Sequence, residues 1–218
     1  MRTKAPVEWT GIAIQTTDQA EVTTDLGVTN LRRTSWASGT ELIDDIAHGE
    51  AGRLSTVVIT PAIEGWTLVV GPWCWLPFLQ SAGPLTNLCK MLSARFGKAQ
   101  AYFHSEQDDG EAWLIAENGQ VIRRWVGEYP ELALGDPFGV ERQLLNAYGI
   151  PGKPEDLDPD DDKLSEWIAG WGDCLATTVA AESSLDPTLI GPATKVSGLM
   201  LVASAPAIDY PKLQGGQP

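Results

Sequence analysis

The chain has 218 residues, of which 29 are acidic and 15 are lysine or arginine, so its formal net charge is −14. A surface with this charge repels nucleic-acid phosphates and anionic lipids, which disfavours direct nucleic-acid binding and membrane-surface binding. No apolar run reaches the roughly 18–20 residues that a membrane-spanning helix needs, whereas a hydrophobic content of 43% is enough for a large core.

The first part of the chain alternates between short apolar runs and polar segments. β-branched and aromatic runs predict strands, and polar runs that end at a glycine predict helices. On these signals we expect strands at residues 7–14, 54–60 and 65–71, the last two forming a hairpin, and helices at residues 16–26 and 41–47.

The clearest helical pattern follows the predicted hairpin. Its apolar residues recur at intervals of three and four, which places them on one face of a helix. Gly97 is a suitable end for this helix. The stripe consists of Leu85, Leu88, Cys89, Leu92 and Phe96.

A β-meander is expected next, with strands at residues 99–105, 111–117 and 120–127. The Asn118-Gly119 pair is the strongest hairpin signal in the chain, because a type I′ turn needs positive φ at both positions. A regular hairpin about this turn places Trp113 opposite Arg124, where the two could form a cation–π contact.

The last third of the chain predicts two more helices and a change of composition between them. We expect helices at residues 138–148 and 164–179, separated by a proline-rich acidic loop at residues 151–162. Together these elements indicate an α+β fold, an antiparallel sheet of about five to seven strands with helices packed on one face. Residues 1–203 would form one domain, and residues 204–218 a disordered tail.

The cysteines and the N-terminus are informative about the cellular compartment of the protein. Cys74, Cys89 and Cys174 are far apart and form no CxxC pair, which argues against a disulfide framework or a thiolate zinc site. No apolar run follows the basic N-terminus, so a signal peptide is not expected. These features fit a reducing cytoplasm, and no motif calls for a cofactor or a metal.

Histidine-based chemistry has only two candidates, His48 and His104. His104 precedes a group of acids, and an acid/base pair or a metal site is conceivable there. The alternative interpretation is a solvated acidic turn between two strands, which is the commoner situation for such residues.

Two acidic segments and one tryptophan pair are the candidates for binding a partner. Residues 99–122 contain five acids and no lysine or arginine, and residues 155–166 contain seven acids and one lysine. The two tryptophans flank Cys74 in a proline-bounded loop, where they either anchor a partner or pack onto a neighbouring helix. The partner-binding candidates are Trp73, Trp75, Glu106, Asp108, Asp109, Glu111, Asp158, Asp160 and Asp161.

Several short motifs resemble a family of uncharacterised bacterial proteins. They are the strand at residues 65–71, the helix–strand junction at residues 92–103, and a hairpin with Trp113, Gly119 and Arg123. The resemblance spans roughly residues 55–190, although residues 183–189 lack the tryptophan of the family's later segment. It implies packing and turn positions and brings no catalytic residues.

The sequence is therefore compatible with three functions. The first is a non-enzymatic acidic binding protein of the cytoplasm, such as an immunity-type inhibitor or an adaptor, whose partner is a basic protein, for example a toxin. The second is a hydrolase-like enzyme that uses His104 and nearby carboxylates. The third is a DNA mimic, which requires acids spaced like phosphates along one elongated face.

Overall fold

The structure is a computed structural model that describes residues 8–47, 55–71, 79–105, 110–127, 129–169, 175–186, 189–191 and 193–205. Its centre is one antiparallel sheet of eight strands. In chain order the strands are β1 (Glu8–Ile14), β2 (Thr29–Thr34), β3 (Thr56–Ile59), β4 (Thr67–Val70), β5 (Lys98–Ser105), β6 (Gly110–Glu117), β7 (Gln120–Val126) and β8 (Met200–Ser204).

The order of the strands across the sheet is β2-β8-β3-β4-β1-β5-β6-β7. The N-terminal strand β1 is central, with Ile12 paired to Val69 of β4 on one side and to Ala101 of β5 on the other. The predicted hairpin and the predicted meander are both confirmed, as β3–β4 and β5–β6–β7.

Six α-helices are present in the described residues, with two short 3₁₀ helices at Pro130–Leu132 and Pro154–Asp156. The first helix begins at Asp18, whose carboxylate accepts hydrogen bonds from two backbone amides, and it ends at Gly27 in the left-handed conformation. The helices are α1 (Gln19–Leu26), α2 (Trp36–Ala47), α3 (Leu79–Phe96), α4 (Gly139–Ala147), α5 (Asp162–Ala169) and α6 (Leu175–Ser183).

Helices cover both faces of the sheet, because successive residues of the central strands are buried on opposite sides. Ile12 and Leu114 pack with α1 and α3 in one core, whereas Ala13 and Trp113 pack with α4, α5 and α6 in the other. The predicted α+β class and the antiparallel sheet are confirmed. The sheet has eight strands, slightly more than the five to seven expected. Its helices lie on both faces, whereas the prediction placed them on one face.

Three other features differ from the sequence-based expectation. Strands β2 and β8 were not predicted, and the single helix expected at residues 164–179 is two helices, α5 and α6, on either side of residues outside the described part. Ser204 ends β8 and Ala205 is buried, so neither belongs to a disordered tail. Within the described residues, no helix combines the length and the apolar character needed to cross a membrane.

Candidate functional site: a buried arginine beneath an acidic surface

A β-bulge in the β6–β7 hairpin decides which arginine is buried. Next to the turn Ala116 pairs with Val121, but the following pair is Ile115 with Arg123, so Ile122 has no partner on β6 and is 38% exposed. The extra residue reverses which face each later side chain of β7 occupies.

The reversal places Arg123 in the core that contains α4, α5 and α6, and Arg124 on the face covered by α3. The prediction that Trp113 lies opposite Arg124 is therefore wrong, because Trp113 pairs with Trp125. A cation–π contact is present, but it is made by Arg123, whose guanidinium carbon lies 5.7 Å from the centroid of the Trp125 ring.

Arg123 is held in a network of two carboxylates and one carbonyl. Its Nε donates to Glu141 Oε1 at 2.9 Å, and its Nη1 and Nη2 donate to the two oxygens of Glu155 at 2.8 and 3.1 Å. Nη1 also donates to the carbonyl of Gly135 at 3.1 Å. The Arg123 side chain is 0% exposed and that of Glu155 is 15% exposed, so this is a buried bidentate ion pair.

The titration of the two most buried members reflects this arrangement. Burial lowers the pKa of Arg123, but the hydrogen bonds that Arg123 donates to Glu155 and the charges of both carboxylates outweigh this effect, and the pKa is raised. For Glu141 burial is the dominant cause, and it raises the pKa of the carboxyl despite the attraction of Arg123.

An aromatic cluster surrounds the buried arginine. The rings of Trp113, Trp125 and Trp167 lie 6.1 to 6.3 Å apart between centroids, and Tyr148 packs edge-on against Trp167 at 5.5 Å. Among the described residues, the indole nitrogen of Trp167 finds no hydrogen-bond partner. The Trp113 side chain interacts with the carboxylate of Glu141 and moderates the rise of its pKa. Three of the nine tryptophans of the chain thus pack in this core, and the indole nitrogen of Trp167 is buried without a partner among the described residues.

The bidentate pair fixes the start of an acidic segment. Glu155 lies in the 3₁₀ helix at Pro154–Asp156, whose Pro154 is buried, and the chain then turns toward α5. Asp158 Oδ1 accepts the amide of Asp160 at 3.0 Å, and Asp161 Oδ1 accepts the amide of Lys163 at 2.8 Å just inside α5. Asp161 thus caps the start of α5, and Asp158 stabilises the turn that precedes it.

The carboxylates of this segment form what we call the acidic surface. They are exposed, apart from a half-buried Asp161, and within the described part of the chain none is paired with a lysine or an arginine. Lys163, the one base in the segment, donates instead to the carbonyl of Gly149 at 3.0 Å. The acidic surface comprises Asp156, Asp158, Asp160, Asp161, Asp162 and Glu166.

His104 and Glu111 form a second, separate arrangement on the adjacent strands β5 and β6. His104 Nδ1 lies 2.6 Å from Glu111 Oε1, and Glu111 Oε2 accepts the amide of Ala176, at the start of α6, at 2.8 Å. Glu111 lies in a strand, as predicted, but it is buried and both its oxygens are engaged, so it is not part of a solvated turn or of an exposed partner-binding position. A carboxylate that orients a histidine in this way is a common feature of acid/base sites.

The other predicted site residues are placed as follows. Asp158, Asp160 and Asp161 belong to the acidic surface, whereas Trp73, Trp75, Glu106, Asp108 and Asp109 lie outside the described residues. Arg123, Glu141 and Glu155 were not predicted as a group. In the part of the chain that the structure describes, no three metal-binding side chains come together.

Comparison of the chain with protein-family models, with curated proteins and with solved structures found no match. The geometry of the chain's own residues therefore carries the functional argument.

Proposed function

We propose that this protein is a non-enzymatic binding protein that engages a basic protein partner through the acidic surface, as an immunity-type inhibitor or an adaptor does. The proposal depends on one observation. Five of these six carboxylates are exposed, none has a basic partner in the described part of the chain, and Glu155 anchors the start of their segment in the core. The proposal includes a location in the bacterial cytoplasm, which the spacing of the cysteines favours.

Two physical effects favour this use of the surface. A concentration of unpaired negative charge attracts a basic partner over a distance and accelerates its association, most strongly at low ionic strength. An anchored segment loses less conformational freedom on binding than a free loop would, so more of the interaction energy remains as affinity. Six acids lie within residues 156–166, and this compact group favours a compact contact over the elongated row that a DNA mimic needs.

The test compares two triple variants that remove the same charge. D158N/D160N/D161N alters the acidic surface, and E41Q/E64Q/E131Q alters exposed acids elsewhere. Proteins captured from the native host by the wild type would be identified, and their association rates measured between about 50 and 500 mM salt.

We expect a basic partner that binds the wild type and the control variant alike, associates roughly tenfold more slowly with the acidic-surface variant, and loses association rate steeply with salt. Equal binding of the same partner to all three proteins, or binding that is insensitive to salt, would contradict the proposal.

A second candidate function is acid/base catalysis at His104, which the 2.6 Å contact with Glu111 supports. Chromogenic ester, amide and phosphoester substrates would be tested with wild type, H104Q and E111Q, and with H48Q as the control that removes the other histidine. Catalysis at this site requires turnover that persists in H48Q and falls at least a hundredfold in H104Q. Turnover that is equal in wild type and H104Q would exclude it.

A further inference from the structure

The charges of this chain are unevenly distributed along its sequence. No acidic residue occurs between Glu64 and Glu106, although the whole chain has 29 acids. The segment includes α3, which covers the face of the sheet opposite to the helices that carry the acidic surface. The helix α3 therefore carries no acidic residue, whereas α5 on the opposite face carries Asp162 and Glu166.

Arg124 projects from β7 toward this acid-poor helix. Its Nε donates to the carbonyl of Leu132 at 2.7 Å, and its Nη1 donates to Thr86 Oγ1 at 2.8 Å and more weakly to the carbonyl of Ala82 at 3.5 Å. These contacts hold the plane of the guanidinium between α3 and the 3₁₀ helix at Pro130–Leu132.

Among the residues that the structure describes, no carboxylate balances the charge of Arg124. Arg95 is paired with Glu21 and Asp25, and Arg123 with two glutamates, but Arg124 has no acidic partner in the described part of the chain. Nη2 of Arg124, with its two N–H groups, has no acceptor there either. Burial lowers the pKa of Arg124, as expected for a half-buried cation that pairs with no described carboxylate.

We propose that Arg124 is an oxyanion-binding site, in which Nη2 donates to a carboxylate or phosphate group of a ligand while Nε and Nη1 keep the guanidinium in position. Arginine suits this task because its planar, fixed donors match the oxygens of both groups. A guanidinium that is already oriented by two protein contacts also loses little freedom when the anion binds. The site is independent of the proposed function, because it lies on the other face of the sheet.

The competing interpretation is that Arg124 only links β7 to α3 and to the 3₁₀ helix. Arg142 provides the matched control, because it too hydrogen-bonds to no carboxylate in the described part of the chain and donates to the carbonyls of Pro137, Pro151 and Gly152. A purely structural arginine would respond to anions as Arg142 does.

The experiment is an NMR titration of the full chain with inorganic phosphate and, separately, with acetate, at an ionic strength held constant with chloride. The amide and arginine Nε–H signals of wild type, R124Q, R124K and R142Q would be followed. We expect saturable shifts at Arg124 and Thr86 in wild type and R142Q, and an affinity at least about tenfold weaker in R124Q. Tighter binding of phosphate than of acetate would indicate a phosphorylated ligand, and the reverse a carboxylate ligand.

Two results would overturn the proposal: shifts that grow linearly with anion concentration, or equal affinities in wild type and R124Q. If R124Q does not fold, R124K decides the question, because lysine retains the charge but lacks the planar donor pair. We expect R124K to bind the anion more weakly than the wild type does, and an unchanged affinity would exclude Arg124 as the site.

Discussion

Arg123 joins two glutamates inside the core on the α4–α6 side of the sheet. Its removal would leave Glu141 and Glu155 as neighbouring carboxylates with no compensating charge, and one of them is fully buried. Breaking a buried pair from one side is far more costly than replacing the whole pair, because the remaining charge stays desolvated.

We therefore expect R123L to lower the free energy of unfolding by about 3–5 kcal/mol in urea denaturation. R142L removes an arginine that binds only carbonyls at the surface, and it should cost less than about 1.5 kcal/mol. Similar losses of unfolding free energy in R123L and R142L would show that the buried network contributes little to stability.

The raised pKa of Glu141 predicts that the stability of the protein depends on pH in an unusual direction. Burial raises the pKa of this carboxyl in the folded protein, so the charged form carries a penalty that is fully present above the folded pKa. The penalty is relieved as the pH falls through that value toward the ordinary value near 4.3. The stability of the wild type relative to E141Q should therefore rise between pH 7 and pH 4.5 in parallel urea titrations. A fall in the stability of the wild type relative to E141Q over this pH range would contradict burial as the dominant effect on the Glu141 carboxyl.

At the scale of elements, the bulge at Ile122 sets the orientation of everything that follows it on β7. Gly135 lies against this bulge with a φ of +75°, and a Cβ at this position would be 1.9 Å from the carbonyl oxygen of Ile122. The carbonyl of Gly135 is also an acceptor for Arg123. The glycine thus permits the close approach that completes the arginine's hydrogen bonds.

We expect G135A to lose about 2 kcal/mol or more of stability, because it combines a left-handed backbone with a clash against main-chain atoms. G152A is the matched control, since a Cβ there meets no atom within 4 Å. Thermal unfolding of both variants measures the difference, and equal melting temperatures would refute the steric argument.

The elements show what local sequence can and cannot determine. The Asn118-Gly119 hairpin and the α3 stripe were predicted because their signals lie within a few neighbouring residues. The bulge at Ile122 was missed because it depends on the packing of residues around Gly135 against the hairpin. Strand β2 has side chains exposed on both faces, so it lacks an alternating pattern, and its partner β8 lies far away in the sequence.

The candidate site was predicted only in part for the same reason. The acids of residues 155–166 were visible as composition, but composition does not distinguish Glu155, which binds Arg123 inside the protein, from Asp158 and Asp160, which face solvent. His104 contacts Glu111 because the two residues are paired across β5 and β6. The sequence indicated that they are close together, but it did not indicate that Glu111 is buried.

At the scale of the whole molecule, the net charge of −14 opposes folding through mutual repulsion. The acidic surface concentrates part of this repulsion in one segment. Screening by salt should therefore stabilise the protein, and the free energy of unfolding should rise between about 20 and 300 mM sodium chloride.

The variant D158N/D160N/D161N should be more stable than the wild type at low salt and should respond less to added salt. Urea denaturation at both salt concentrations measures this effect. E41Q/E64Q/E131Q serves again as the variant of equal charge, because its substitutions are spread over the surface and should relieve less repulsion. A larger gain in stability at low salt for E41Q/E64Q/E131Q than for D158N/D160N/D161N would show that the repulsion is not concentrated at residues 156–166.

The position of β8 between β2 and β3 has a consequence for biosynthesis. Both neighbours leave the ribosome long before their shared partner, so a nascent chain holds two unpaired strand edges until residues 200–204 emerge. Open edges of this kind recruit other chains. A premature stop codon ahead of Met200 should thus yield a product prone to aggregation, even though most of the core residues have already been translated.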